Sequence, residues 1–487
     1  MTGTTPTSGA SIEHGPDRST PEPTSPGRAP GAAWLTGLYE PVHDEIDAVD
    51  LPVTGRLPAA LDGSYVRNGP NPAFPPVGGY HLFDGDGMLH GLTFADGRAR
   101  YRNRWIRSRG LAAERRARRA LYSGLSDFRL PDPEVVAEGG MMKNTANTHV
   151  VRHGGRVLAL MEGAPPTEVT LDLDTVGEYD FDGALAGAMT AHPKVDPVTG
   201  EMVFFGYSPF PPHLRIHAAA PDGTLTWSTP VDLPGPVMTH DFVVTERRVV
   251  VFDLPAVFDV DGMLTGAGGG FIRWAPERGA RIGVLERGAP GDTIRWIDVE
   301  PFWVFHFLNG SDDGAAVVVE GCRADRLNVA FGDDRPVDAP TTLHRWRIDP
   351  DAGTVGTTTL DDRPADFPRV ADAAAGLPAR YGYLAAARRW EQQVDFGGVT
   401  KVDLVSGTTT TLDWGPGESG GEAVFAPDPD RADDPAEDAG WLLCLVSDAT
   451  TRATDLVVAD AQAMVEVARV HLPRRVPFGF HGSWMAS

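Results

Sequence analysis

RRVVVFDLP, residues 247–255, opens on two charged residues. It runs through five apolar or aromatic positions broken only by Asp253, and stops at a proline. That is a short buried β-strand bounded by turn chemistry. The same reading holds for GGRVLALME (154–162), GEMVFFGYS (200–208), AAVVVEG (315–321) and GWLLCLVSD (440–448). Such runs recur from about residue 60 onward, and 56 Gly and 42 Pro supply the turns between them. Many short strands at even spacing specify a sandwich, a barrel or a propeller. An ordered length of roughly 450 residues is too long for one sandwich, but it suits a seven-bladed propeller at about 60 residues per blade. The expected fold is therefore all-β, a seven-bladed propeller with a lid of helix and loops. No textual repeat such as Trp-Asp marks the blades, so the periodicity is architectural.

Residues 1–33 are rich in Pro, Gly, Ser and Thr and poor in large apolar side chains, and are expected to be a disordered tail. A single catalytic domain is expected over 34–487, with order beginning near Trp34 and Leu35. Helical periodicity is scarce. The best stretch, LAAERRARRALYSGL (111–125), predicts a basic helix. Its Arg115, Arg116, Arg118 and Arg119 read as a solvated face, with anionic lipid as the alternative. ADAQAMVEVARV (459–470) is a weaker, β-branched candidate.

Among 487 residues, 43 Lys and Arg stand against 67 Asp and Glu, a net charge of −24. Nucleic acid is excluded as a partner, because phosphate binding needs a basic face. No signal-like N-terminus and no long apolar run are present, so a cytoplasmic protein is expected. An apolar rim of loops would still permit contact with a membrane surface. Two cysteines, Cys322 and Cys444, read as free thiols.

Of fourteen histidines, four share a setting of apolar or small neighbours at a strand edge or turn. They are His192 in MTAHPKVDP, His240 in VMTHDFVV, His306 in WVFHFLNG and His481 in FGFHGSW. They are separated by 48, 66 and 175 residues, which fits no local metal motif. A propeller points the inner strand of every blade at one axis, so four such residues can meet at one ion. The alternative is four buried histidines, each satisfied by a backbone carbonyl. Imidazole suits iron, zinc, copper and nickel, and four ligands leave two positions open on an octahedral ion. Four neutral ligands also call for carboxylates behind them. Glu162, Asp366 and Glu422, each beside apolar residues, are candidates, against the commoner role of a turn carboxylate.

GSYVRNGPNP (63–72), HLFDGDGMLHG (81–91), NTANTHVV (144–151), AHPKVDP (191–197), THDF (239–242), FHFLNG (305–310), DFPRV (366–370), RYGY (380–383), GEAVF (421–425) and FGFHGSW (478–484) together resemble the carotenoid cleavage oxygenase family. That family includes carotenoid and apocarotenoid oxygenases, stilbene-cleaving dioxygenases and the retinal-pigment isomerase. The resemblance runs from about Leu38 to the C-terminus. It implies a seven-bladed propeller with Fe(2+), one per chain, on His192, His240, His306 and His481, and Glu162, Asp366 and Glu422 behind them. It implies no side chain acting as catalytic acid or base. Asp366 departs from the family's usual glutamate, and its shorter side chain is expected to reach its histidine only with a shift or through a water. NGSDDG after His306 departs too, in a stretch expected to be a loop. Met161 stands where stilbene-cleaving relatives typically carry the lysine that meets a phenol oxygen. Methionine cannot donate there, which favours a more apolar conjugated alkene.

The implied reaction is cleavage of a C=C bond by O2 to two carbonyls, with a carotenoid or apocarotenoid as substrate. A stilbene or isoeugenol-like phenylpropenoid is the alternative. A redox-neutral isomerase on the same iron and a non-enzymatic ligand-binding propeller are the others. Met161, Phe83, Tyr122 and Phe307 are expected to line the substrate pocket.

Overall fold

All six residues of the Arg248–Asp253 strand are buried, as a strand covered on both faces must be. The computed structural model describes residues 31–265, 270–327, 329, 339–391, 393–431 and 436–487. Seven antiparallel sheets form the blades of a propeller. Blades two to six are four-stranded and follow the chain. Their leading strands are His149–His153, Lys194–Val195, Val243–Val244, Trp303–Asp313 and Ala365–Arg369. The seventh blade is built from Glu418 to His471 and takes a further edge strand, Val53–Gly55. Gly482–Ala486 returns to pair with Gly63–Pro70 and so completes the first blade. The ring is closed by strand pairing between the two ends of the described chain, which leaves no free inner edge there.

Leading strands stand beside one another around the axis. Val243–Val244 neighbours Trp303–Asp313, which neighbours Ala365–Arg369. Between blades the core is aromatic: Phe252, Phe302, Phe307 and Trp346 pack with ring centroids 4.3–6.4 Å apart. Burying each such ring contributes about 1.5–3 kcal/mol.

Two short helices cover one end: α1 (Arg109–Ala117) and α2 (Pro133–Gly139). The helix expected over 111–125 is correct in place and too long. Ser108 caps its start by accepting from the Leu111 N–H, and Arg118 ends it in a left-handed conformation at φ 55°. Its basic face is only partly solvated: Arg115 lies over the Trp105 ring at 5.3 Å, and Arg116 pairs with Glu138. The stretch 459–470 is not helical. It forms parts of two strands, Thr454–Asp460 and Val465–His471, joined by a turn at Met464 (φ 55°).

Cys322 and Cys444 are free and buried in separate blades. Of the expected tail, residues 1–30 lie outside the described residues. Ala32–Leu35 form a 3-10 turn. Among the described residues no helix is long and apolar enough to cross a membrane.

Candidate metal centre

Four inner segments each deliver one histidine to the axis. His306 sits where the register of Trp303–Asp313 slips between Val304 and Phe307, a bulge that re-aims its ring. The stretch after it is not a loop. The strand continues to Asp313, and Asn309 donates to the carbonyls of Ala374 and Leu377 at 3.0 and 2.8 Å. His481 is tied by its backbone: its N–H donates to the Thr148 carbonyl at 3.1 Å, and its carbonyl accepts from Asn68 at 2.9 Å. The His192 N–H donates to the Thr190 hydroxyl at 3.0 Å.

Ring nitrogens of His192, His306 and His481 lie within 4.8 Å of one another. His240 joins them through His192, with the two Nε2 atoms 3.1 Å apart. Each of three rings gives its Nδ1 proton to a carboxylate: His306 to Asp366 at 2.8 Å, His481 to Glu422 at 2.9 Å, and His240 to Glu162. Those tautomers leave Nε2 lone pairs pointing at the axis. The His240 lone pair faces His192 Nε2, and a cation between the two nitrogens would be bound by both. Ligands at about 2.1 Å and a right angle stand about 3.0 Å apart, close to the separation seen. The donor set therefore fits a divalent metal with cis imidazoles.

The carboxylates are themselves held. Glu162 accepts from the Tyr207 hydroxyl at 2.8 Å. Glu422 accepts from the Gly482 N–H at 2.8 Å and from Arg369 at 3.3 Å. Asp366 reaches His306 directly, with no water between them. Its Oδ1 also accepts from the Phe367 N–H at 2.8 Å. Phe367 has φ 49°, and the strand register slips between Asp366 and Arg369. The backbone thus makes up the methylene that the side chain lacks, while the Phe367 ring stacks on His306 at 5.2 Å.

Burial drives the imidazoles toward neutrality. His481 is pushed down to about 4, with Glu422 only partly opposing. His192 falls well below its ordinary value, from burial and from its histidine neighbours. His240 is the exception: burial lowers it, but Glu162, joined by Asp241 and Asp366, raises it by more in sum. Burial would raise Glu422, yet Arg369 and His481 hold it well below the usual carboxylate range.

Two cavities meet at these nitrogens. The upper one, about 290 Å³, is lined by His240, His306 and His481, by Met161 and Phe83, and by a wall of aromatic rings. The lower one, about 420 Å³, reaches His192, His306 and His481 from the opposite side and is lined by charged residues. Inner segments pass from one to the other. Phe305 faces the upper cavity and Asn309 the lower, with His306 between them. Phe367 precedes Arg369 in the same way, and Phe480 precedes Ser483.

Met161 and Phe83 line the upper pocket as expected. Tyr122 does not. It lines a smaller cavity of about 90 Å³ under the lid, which shares Phe83 and Met161. With α1 ending at Ala117, Tyr122 lies in the loop beneath it. Phe307 is not on the upper wall either. The register slip between Val304 and Phe307 breaks the alternation and sends it to another face than Phe305: its ring lies 4.3 Å from Phe252 in the core between blades, and it borders the lower cavity. Sequence reading missed Trp34, Tyr39, Tyr207, Phe305, Trp390 and Phe480, all on the upper wall. Their only signal is that they are aromatic, which core residues share. His149 packs beside the axis and bonds to the Ala191 carbonyl at 2.9 Å.

A propeller with histidine donors backed by carboxylates on its axis has the architecture of a metal-dependent enzyme. The family described as Retinal pigment epithelial membrane protein matches residues 39–486. The chain is 35% identical to the carotenoid cleavage oxygenase of Mycobacterium tuberculosis, over 93% of this chain and 97% of that protein. It superposes on the lignostilbene dioxygenase of Pseudomonas brassicacearum with a TM-score of 0.86 and 31% identity, covering 96% of this chain and 100% of that one. For cobalt-substituted apocarotenoid oxygenase from Synechocystis the TM-score is 0.84 and the identity 29%, covering 94% and 99%. The chain belongs to the carotenoid cleavage oxygenase family, whose members are non-haem iron oxygenases.

Proposed function

We propose that this chain cleaves a conjugated carbon–carbon double bond with O2, on one Fe(2+) held by His192, His240, His306 and His481, and that its substrate is a carotenoid or apocarotenoid. One double bond breaks and two carbonyls form, each taking one atom of O2. The observation that carries this reading is an apolar, aromatic-walled pocket lined by His240, His306 and His481, the last two of which converge with His192 on the axis.

Bound ferrous iron supplies the redox chemistry that couples O2 to the alkene. The chain's own residues position and exclude. Phe83, Phe305 and Phe480 form an edge-to-face cluster, with centroids 5.5 and 6.4 Å from Phe83, that holds an extended hydrocarbon beside the imidazoles and keeps water out. Glu162, Asp366 and Glu422 fix tautomers and supply negative charge behind the ligands. All three are committed to histidine N–H groups, which supports a reaction needing no side-chain proton transfer.

Met161 at the pocket wall supports an apolar substrate, because a thioether sulfur cannot donate to a phenolate. The likeness to a lignostilbene dioxygenase keeps a stilbene as the second reading. Iron-loaded protein, supplied with air and a long-chain apocarotenal, should give two shorter carbonyl fragments by liquid chromatography and mass spectrometry. No product from the apocarotenal, with cleavage of a 4-hydroxystilbene, would overturn the substrate assignment.

A further inference from the structure

The upper pocket suits an alkene and does not suit an ion. A hydrated divalent cation would have to shed its water among aromatic rings, and taking a charge out of water without replacement partners costs many kcal/mol. The lower cavity is built differently. It is the larger of the two, it touches His192, His306 and His481, and its mouth includes the exposed residues Glu246 and Ala373. Asp372 stands at that mouth with its side chain 72% exposed. Three of the four cations along the wall are neutralised, and the fourth, Arg152, is exposed and donates to the Ala486 carbonyl at 3.2 Å. Lys194 lies 2.7 Å from Asp241, Arg287 lies 2.7 Å from Asp196, and Arg369 bridges Glu422 and Asp372 at 3.3 Å each. Beyond Arg152, an entering cation therefore meets ion pairs and neutral backbone.

We propose that the divalent metal enters and leaves its four-histidine seat through the lower cavity, so that ion and substrate use opposite faces of the propeller. The proposal rests on the reading of the four histidines as a metal seat. Its physical content is a division of solvents: a wet, charged passage for the ion and a dry, aromatic one for the alkene.

The test uses the full chain loaded with Co(2+) or Fe(2+), and follows the metal remaining on the protein after an excess of chelator is added. Ala373→Trp and Ala375→Trp narrow the lower passage. Met161→Trp fills the upper pocket. Both lower variants should slow metal release by about tenfold, an added barrier of about 1.4 kcal/mol. Met161→Trp should release metal at the wild-type rate while losing turnover. Wild-type release from both alanine variants overturns the route, and so does slow release from Met161→Trp. Circular dichroism on the alanine variants, with metal content at loading, establishes that each is folded and filled before its rate is compared. A wild-type chain that takes up no divalent metal overturns the reading of the seat itself, an outcome distinct from a filled seat with indifferent release.

Discussion

The upper and lower cavities share His306 and His481 and almost nothing else. Above, the wall is aromatic, and Glu162 and Asp366, the carboxylates nearest the donors, are turned to histidine N–H groups. Below, Lys194, Asp241, Arg287 and Arg369 form ion pairs around a wider space. A few residues along one inner strand separate the two environments, since Phe305 faces the upper and Asn309 the lower. The lesson is that a propeller axis can hold one metal between two solvents, because each strand changes neighbours as it passes the ion.

The comparison breaks most completely at the shared centre. His240→Ala should lose bound iron and all turnover, read by metal analysis and oxygen uptake. An iron-replete, active variant would remove His240 from the ligand set.

Next come the carboxylates, one on each side. Glu162→Gln touches the upper side and Glu422→Gln the lower, where Arg369 also loses its partner. Each should cost about 10–100-fold in metal affinity, measured by competition with a chelator. Unchanged affinity in both would mean that the Nδ1 partners do not tune the metal.

A sharper test alters the upper cavity alone. Met161→Lys should lower turnover of an apocarotenal by about tenfold or more, because a buried ammonium is costly beside a hydrocarbon. Metal content should not change. Faster cleavage of a 4-hydroxystilbene by this variant would show that position 161 sets substrate class. Undiminished apocarotenal turnover would show that it does not.

The gentlest change comes with pH. Burial lowers His81 and His149 to about 3 and His217 to about 4, against an ordinary 6.5. These folded values lie below the unfolded one, so the unfolded chain binds more protons between them. Their contribution to stability is complete above about pH 6.5 and falls as pH drops toward 4. Asp84, raised by burial to about 6, opposes them as one group against three. The urea midpoint of metal-free protein should therefore decline from pH 7 to pH 5. A flat or rising midpoint would contradict the assignment of these histidines as buried and neutral.

How far the sequence foretold this depends on the residue. Strands such as 247–255 were legible because both faces are covered, so the apolar run is continuous. The four axial histidines were not legible from spacing, since blades of unequal length separate them. They were legible through the motifs that surround them. Asp366 was misjudged because its reach is set by the φ of Phe367, a backbone property that residue type conceals. Trp34 and Phe480 meet across the pocket from opposite ends of the chain, and no local pattern reports such a meeting. Tyr122 and Phe307 were misplaced for related reasons. A helix that stops early moved one, and the strand bulge beside His306 turned the other inward.

His481 directly precedes Gly482–Ala486, the strand that pairs with Gly63–Pro70 and closes the first blade. The donor set is therefore incomplete until the two ends of the ring have met. An ion bound by all four histidines acts as a clasp on that seam. By mass action it stabilises the closed ring by about 2.7 kcal/mol when free metal is a hundredfold above its dissociation constant. Filled protein should resist opening at the seam first, and chelation should loosen the first and seventh blades before the middle ones.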